Sequence, residues 1–410
     1  MEGVLRALRE SGAGVYVGAE FLGSPTVADD VLLADQKPPG VTRNLKLSNA
    51  DIISDRISTA AGACYALMPS GLHGENGISP HASRKILVAY VLPRLLYGLE
   101  ALIISKSEMA NLDRAYKRLL KSLTSLRDAT ADAAVYIMMG LLPAEAELHR
   151  RILSLYGNIT RLKEEHPLRR LGLRQVALPS EKRYGWFGNV CAVAGIYGIE
   201  DSIMAAIISP WQKSEWKAMI GKAVNTHWVN CTKTEAEGKP SMKYMSPILD
   251  PRSAHHLWPR GGCASRKRVA ASFRAKMLTG SYILQANRAR FNQNSVDPTC
   301  PLCLSEPEDL PHFLLSCTKL SSTRNLYLPR IKRIASDLGI FLPEDCVSLC
   351  KNLLNAADPD ACCACSGRSK RSRQEVRCKC SRMNELINQL CLDLHNERTQ
   401  VLSQTGKGKK

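Results

Sequence analysis

Nowhere does this sequence run for the roughly 18 uninterrupted apolar residues that a membrane helix needs. Its N-terminal stretch, MEGVLRALRESGAG, is charged and helical in period, without the apolar centre of a signal peptide. No membrane association is therefore expected, and the chain reads as intracellular, of the nucleus or the cytoplasm. The longest apolar stretch, ILVAYVLPRLLYGLEALII, is interrupted by Pro93, Arg94 and Glu100 and reads as a buried helix pair or a kinked helix. Acids are missing from one long segment: between Arg252 and Val296 there is no Asp or Glu. Aspartate is also missing before Asp29, where only Glu2, Glu10 and Glu20 are acidic.

What is present is 410 residues with 45% hydrophobic content, enough for two or three domains with a sizeable core. The formal charge of +18 and a pI near 9.3 point to a polyanionic partner, nucleic acid first. Fifteen cysteines in a reducing compartment are expected to be free core residues or metal ligands rather than disulfides.

From Asp51 to about Leu162 apolar residues recur at helical spacing, as in SEMANLDRAYKRLLKSLTSL. Ser79 and Pro80 read as an N-cap and first helical residue after the loop GLHGENGISP. Pro143 reads as another first helical residue, with acids then bases after it to match the helix dipole. Residues 166–250 form a less regular helical stretch in which Trp186, Trp211, Trp216 and Trp228 read as core anchors rather than a stacking platform.

In the acid-free segment SRKRVAASFRAKMLTGSY gathers bases on one helix face, with Val269, Phe273 and Met277 available for the other. With no acid nearby to neutralise them, Arg260, Arg266, Lys267, Arg268, Arg274, Lys276, Arg288 and Arg290 are candidate phosphate contacts, and a merely solvated basic face is the alternative.

The sharpest chemical signal is CPLCLSEPEDLPHFLLSC, which spaces Cys300, Cys303, His312 and Cys317 as C-x2-C-x8-H-x4-C. A C-x2-C turn can present two thiolates to one ion, and a His and Cys five apart can close the set from the start of a helix. Four such donors without a carboxylate suit structural Zn2+ and leave no open position for catalysis. Cys362, Cys363, Cys365, Cys378 and Cys380, in the polar and basic stretch 358–382, make a weaker second group, and His255, His256 and Cys263 a weaker one still. That stretch reads as a flexible insert, followed by the amphipathic helix MNELINQLCLDLHNERTQVL. Near the start, GSPTVADDVLLA sets Asp29 beside Asp30 between short β-branched runs, where a solvated turn or a site for Mg2+ can relieve the repulsion.

In this order, the segments resemble the C-terminal part of a non-LTR (LINE-type) retrotransposon reverse transcriptase. TVADDVLLA is similar to that family's catalytic A-D-D box at the palm hairpin, with Val27 where an aromatic is usual. PRLLYGLEAL, LLKSL and MMGLLPAEAELHRR look like its helical thumb and the region after it. LTGSYILQANRARFNQNSVDPTCPLCLSEPEDLPHFLLSC is similar to its cysteine-histidine segment. The resemblance implies a mainly α fold: a truncated palm hairpin in 1–50, a helical thumb-like region in 51–165 and a helical connector in 166–250. A basic segment with the zinc unit (251–325) and a tail (326–410) complete it. It also implies RNA-directed DNA polymerase ancestry, with Asp29 and Asp30 as metal-box acids. The family's further palm aspartate is lacking, so polymerisation is not expected of this chain alone, and Mg2+ would matter only if a partner or longer isoform completed the site. Binding of RNA or DNA is the expected capacity. The alternatives are a helical protein-interaction module that uses its thumb-like helices and the C-terminal amphipathic helix, with zinc structural, and an inert transposon relic.

Overall fold

The computed structural model describes residues 48–74, 77–179, 183, 185–259, 264–291, 295–356, 358, 362–363 and 370–404, with the backbone of four short strands between residues 15 and 31. The fold is mainly α, as the sequence pattern indicates. Strands β1 (Val15–Val17) and β2 (Glu20–Gly23) pair antiparallel, as do β3 (Thr26–Val27) and β4 (Asp30–Val31), with Val27 opposite Asp30. Asp30 opens β4 in this short antiparallel pairing, and Asp29 lies outside the described residues.

The first helices are α1 (Asn49–Ala66), α2 (Pro80–Ile86), α3 (Leu92–Leu96), α4 (Lys106–Thr124) and α5 (Asp132–Met139). Next come α6 (Ala144–Thr160), α7 (Pro167–Ala177), α8 (Gly185–Ile196), α9 (Glu200–Ile208) and α10 (Lys213–Glu237). The last are α11 (Ser265–Leu278), α12 (Gln285–Phe291), α13 (Ser321–Leu338), α14 (Cys346–Asn355) and α15 (Lys370–Gln404). Ser79 caps α2, its hydroxyl accepting from the His81 N–H at 3.3 Å, and Pro80 is the first helical residue. Pro143 is the cap of α6 rather than its first residue, one position earlier than the sequence suggests. The long apolar stretch is a broken helix: Pro93 has no N–H for the Ala89 carbonyl, and the chain widens just before it into a π turn, Leu87–Val91.

The chain forms two compact units, each assembled from separated stretches, so they cut across the consecutive segments read from the sequence. The first comprises residues 1–61, 92–115 and 143–228. Its centre is α6, where the Tyr156 hydroxyl donates to the Ile203 carbonyl at 2.9 Å and the Trp216 indole donates to the Leu153 carbonyl at 3.0 Å. A Cβ on Gly157 would lie 2.0 Å from the Trp216 nitrogen, so glycine is what lets the indole reach the helix backbone. Burying an indole of roughly 200 Å2 contributes about 5 kcal/mol at ~25 cal/mol per Å2. Trp186 and Trp228 also direct their N–H groups inward, to the Glu100 carbonyl at 2.8 Å and the Tyr197 hydroxyl at 2.9 Å, and Trp211 meets Trp216 edge-on. Trp216 is buried, and Trp186, Trp211 and Trp228 are half-buried against neighbours of the same unit.

The second unit comprises 62–91, 116–142 and 229–410. Helix α5 is buried from Ala133 to Met139 and ends at Gly140 with φ 59°, where a Cβ would strike the Ser253 carbonyl at 1.8 Å. That close approach brings Trp258 to the Met138 carbonyl at 3.0 Å. Helices α11 and α13 pack on α15, whose buried stripe runs Val376, Cys380, Met383, Ile387, Leu390 and Leu394 at alternating four and three spacing. From Lys370 onward the expected flexible insert is therefore helix, because Cys380 serves as a small apolar side chain in that stripe. The apolar face of the C-terminal helix is thus covered by α11 and α13 within the unit. Among the described residues no helix is long and apolar enough to cross a membrane.

Candidate metal centre

The turn carrying Cys300 and Cys303 is fixed by its backbone. The Cys300 N–H donates to the Glu306 carbonyl at 2.7 Å, the Leu304 N–H to the Cys300 carbonyl at 2.9 Å, and the Glu308 N–H to the Pro298 carbonyl at 2.9 Å. An antiparallel bridge between Thr299 and Pro307 closes the loop. Leu304 takes a left-handed φ of 57°, which bends the chain tightly enough for the N–H groups of Ser305 and Glu306 to face the Cys303 thiol. On the other side a π turn, His312–Ser316, leads directly into Cys317, whose N–H donates to the His312 carbonyl at 2.8 Å.

These two pieces bring four donors together. Cys300 Sγ and Cys317 Sγ are 3.9 Å apart, Cys303 Sγ and His312 Nε2 are 3.3 Å apart, and all four ligand atoms lie within 4.8 Å of one another. Two thiolates at about 2.3 Å from a tetrahedral ion would be about 3.8 Å apart, and a thiolate and an imidazole nitrogen about 3.6 Å. The separations of 3.9 and 3.3 Å are close to those of a closed four-coordinate site and far longer than a disulfide of about 2.05 Å. The Cys300, Cys303, His312 and Cys317 group can hold a metal ion.

The surroundings fit that role. Glu306 Oε2 lies 2.8 Å from His312 Nδ1 and Ser316 Oγ lies 3.3 Å from it, so Nε2 is left to face the thiolates. Asp309 Oδ1 accepts the His312 N–H at 2.8 Å. Burial pushes the Cys300 thiol up to about 12 and the Cys317 thiol up as well. At Cys303 burial also raises the thiol, but the N–H groups of Ser305 and Glu306, with Cys300 and His312, outweigh it and bring it down to about 6. Without a cation Cys300 and Cys317 stay neutral thiols, and an ion between them would favour the thiolate form of all three.

The segment is anchored through Glu308. Fully buried, its carboxylate receives two bonds from Arg398 of α15, at 2.6 and 2.8 Å, and one from the Gln285 N–H at the start of α12, at 2.9 Å. Neither Glu306 nor Glu308 was singled out as functional by spacing alone. An acid three residues past a ligand cysteine is the kind of position from which a carboxylate orients a ligating imidazole, and that is the only sequence signal they carry.

The predicted phosphate contacts divide. Arg274 is a correction: fully buried, it donates to the Leu354 carbonyl at 2.9 and 2.7 Å, to the Ala356 carbonyl at 3.3 Å, and to Asn384 Oδ1 at 2.7 Å. It holds α14 and α15 together and cannot reach a phosphate. Arg266 meets Asp393 at 3.3 Å and Lys267 meets Glu385 at 2.8 Å. The expectation that no acid neutralises this face is thereby overturned, because α15 supplies the acids from over a hundred residues away. Lys276 lies over the Phe273 ring at 5.1 Å, and Arg268 is half-buried. Arg288 and Arg290 are exposed, and Arg260 lies outside the described residues.

Of the weaker groups, Cys378 is exposed and Cys380 buried, while Cys365 and Cys263 lie outside the described residues. Cys380 is raised to about 12 by burial and by Cys362 and Cys363 beside it. His255 and His256 stack at 4.2 Å between centroids, and burial holds both well below the usual imidazole value. Among the described residues, only the Cys300–Cys317 group has metal-site geometry. No family model, curated protein or solved structure matches the chain.

Proposed function

We propose that this chain binds RNA or DNA, with a zinc ion at Cys300, Cys303, His312 and Cys317 holding its basic C-terminal part in shape, as a fragment of the LINE-type reverse transcriptase lineage. The observation that carries the reading is the closed cluster of three thiolates and one imidazole at tetrahedral separations. Soft and borderline donors without a carboxylate favour zinc over Mg2+ or Ca2+. Protein donors fill all four positions, so the ion's contribution is structural, on the order of 10 kcal/mol of binding in small zinc modules. A net charge of +18 supports a polyanionic ligand, and such a ligand would place the protein in the nucleus or cytoplasm. The lineage rests on the A-D-D box and the cysteine-histidine segment. Mg2+ would enter only at a polymerase site completed from elsewhere around Asp29 and Asp30, so no primer extension by this chain alone is expected.

The test is fluorescence anisotropy of the purified chain with single-stranded RNA and duplex DNA over a salt series, beside metal analysis. One zinc per chain is expected, with an affinity that falls steeply as salt rises. Removing zinc, or replacing Cys300 and Cys303 by Ser, is expected to abolish tight binding. Absence of binding at low salt would refute the reading. It would favour a protein-interaction module instead, for which the exposed apolar side chains Leu326, Phe341 and Val347 of the second unit speak.

A further inference from the structure

Within the second unit a cleft of about 770 Å3 opens where stretches far apart in sequence meet: residues 127–131, 239–244 and 277–290, beside Asp309 and Leu310 of the metal-bearing segment. Its rim carries five cations, Arg127, Lys239, Lys243, Arg288 and Arg290, all exposed and none in an ion pair among the described residues. One acid, Asp309, also lines it, and its Oδ1 is engaged by the His312 N–H at 2.8 Å. Met277 and Leu284 line its apolar part, with Ile283 partly open to solvent.

The walls are held firmly. Gly280 has φ +68°, and a Cβ there would sit 2.3 Å from the Ser241 carbonyl, so the loop after α11 lies directly against the 239–244 segment. The N–H groups of Ser281 and Tyr282 both donate to the Lys276 carbonyl at 2.9 Å, and the Tyr282 hydroxyl is 2.9 Å from His395 Nδ1 of α15. A rigid, concave, unneutralised cationic rim therefore stands in contrast to the 266–268 face, where α15 supplies acids to Arg266 and Lys267.

We propose that this cleft seats the backbone of a single-stranded nucleic acid, phosphates on the five cations and bases toward the apolar lining. The proposal rests on the nucleic-acid reading above and moves the site away from the 266–268 face. Its size is that of a ligand pocket, typically about 300–1,000 Å3, which admits a few nucleotides of one strand and not a duplex. Cations spaced around an apolar floor suit a strand whose charge and base faces alternate, and binding of this kind is dominated by released counterions.

The experiment is anisotropy of the full zinc-loaded chain with a labelled 12-mer oligouridylate over a salt series. Three double variants are compared: Lys239→Ala/Lys243→Ala, Arg288→Ala/Arg290→Ala and Arg266→Ala/Lys267→Ala. Thermal melting confirms that each is folded. Each cleft pair is expected to weaken binding at least tenfold at low salt and to flatten the log–log salt slope by about 1.4, at ~0.7 per lost phosphate contact. The third pair is expected to bind as wild type does. Loss on the third pair with the cleft pairs unchanged would overturn the cleft assignment while leaving nucleic-acid binding intact. Failure of the wild-type chain to bind would remove both. Displacement of the oligonucleotide by polyglutamate at equal charge would also overturn the proposal, making the cleft a site for any acidic polymer.

Discussion

Arg274 and Arg266 lie eight residues apart on one helix and have opposite fates. Arg274 is buried, and the pKa of its guanidinium is lowered by burial to about 10, so it remains charged at neutral pH while every nearby partner is a carbonyl or amide oxygen. Removing the guanidinium leaves buried carbonyl and amide oxygens without a donor, which typically costs about 1–3 kcal/mol for each group left unsatisfied. Arg274→Met is accordingly expected to lower stability by at least ~2 kcal/mol. Arg266→Gln, which removes an exposed pair with Asp393, should change it by less than ~1 kcal/mol. Urea denaturation of the two variants measures both, and equal small effects would show that the Arg274 network is not holding α14 to α15. The sequence held a hint: Ala270, Arg274 and Leu278 follow one another at four-residue spacing on the face that Ala271 and Ala275 keep small. A basic count along the segment could not weigh that hint against the charge.

At the scale of elements, α15 decides the most. Its stripe from Val376 to Leu394 has the regular spacing of a buried helix, but Cys380 within it and Cys378 beside it also resemble ligands. Burial resolves the ambiguity. Cys380→Ser would place a hydroxyl in an apolar stripe and is expected to cost about 1–3 kcal/mol, whereas Cys378→Ser on the exposed side should be neutral. Zinc content measured by mass spectrometry should be unchanged in both, and loss of zinc from either would restore a second metal site. The cysteine-histidine segment shows the reverse case. There the spacing C-x2-C-x8-H-x4-C is enough to pick out the four donors that the fold brings together, because a turn and a helix start leave few ways to arrange them. How the segment is fastened was not legible, since Glu308 and Arg398 are ninety residues apart.

For the whole molecule, imidazoles that are buried (His149) or half-buried (His256, His395) tie stability to pH. Burial, with His227 nearby, lowers His149 from 6.5 to about 4, although Glu145 lies 3.8 Å away and would favour the charged form. His256, lowered by burial and Arg274, and His395, lowered by burial and Arg398, also fall to about 4. The folded protein thus refuses a proton that the unfolded chain accepts between about pH 6.5 and 4. Stability is complete above that window and is lost as pH falls through it, by on the order of 3 kcal/mol for His149 alone. Thermal melts from pH 8 down to 4.5 should show the midpoint falling below about pH 6.5, less steeply in His149→Gln. A midpoint that stays level across the window would show that these imidazoles are not held neutral by the fold.

The helical class, the cap at Ser79 and the break at Pro93 are legible from residues within a few positions of one another, and the four cysteine and histidine donors from one short stretch, because there backbone geometry leaves little choice. The tryptophans are legible as anchors from their chemistry alone, although their partners lie 31 to 86 residues away. Which charges are available is set by the folded path. Acids of α15 reach back to Arg266 and Lys267, carbonyls of α14 enclose Arg274, and three distant stretches place Arg127, Lys239, Lys243, Arg288 and Arg290 around one cleft. Charges interact through space, and the folded path of the chain, not its order, sets those distances.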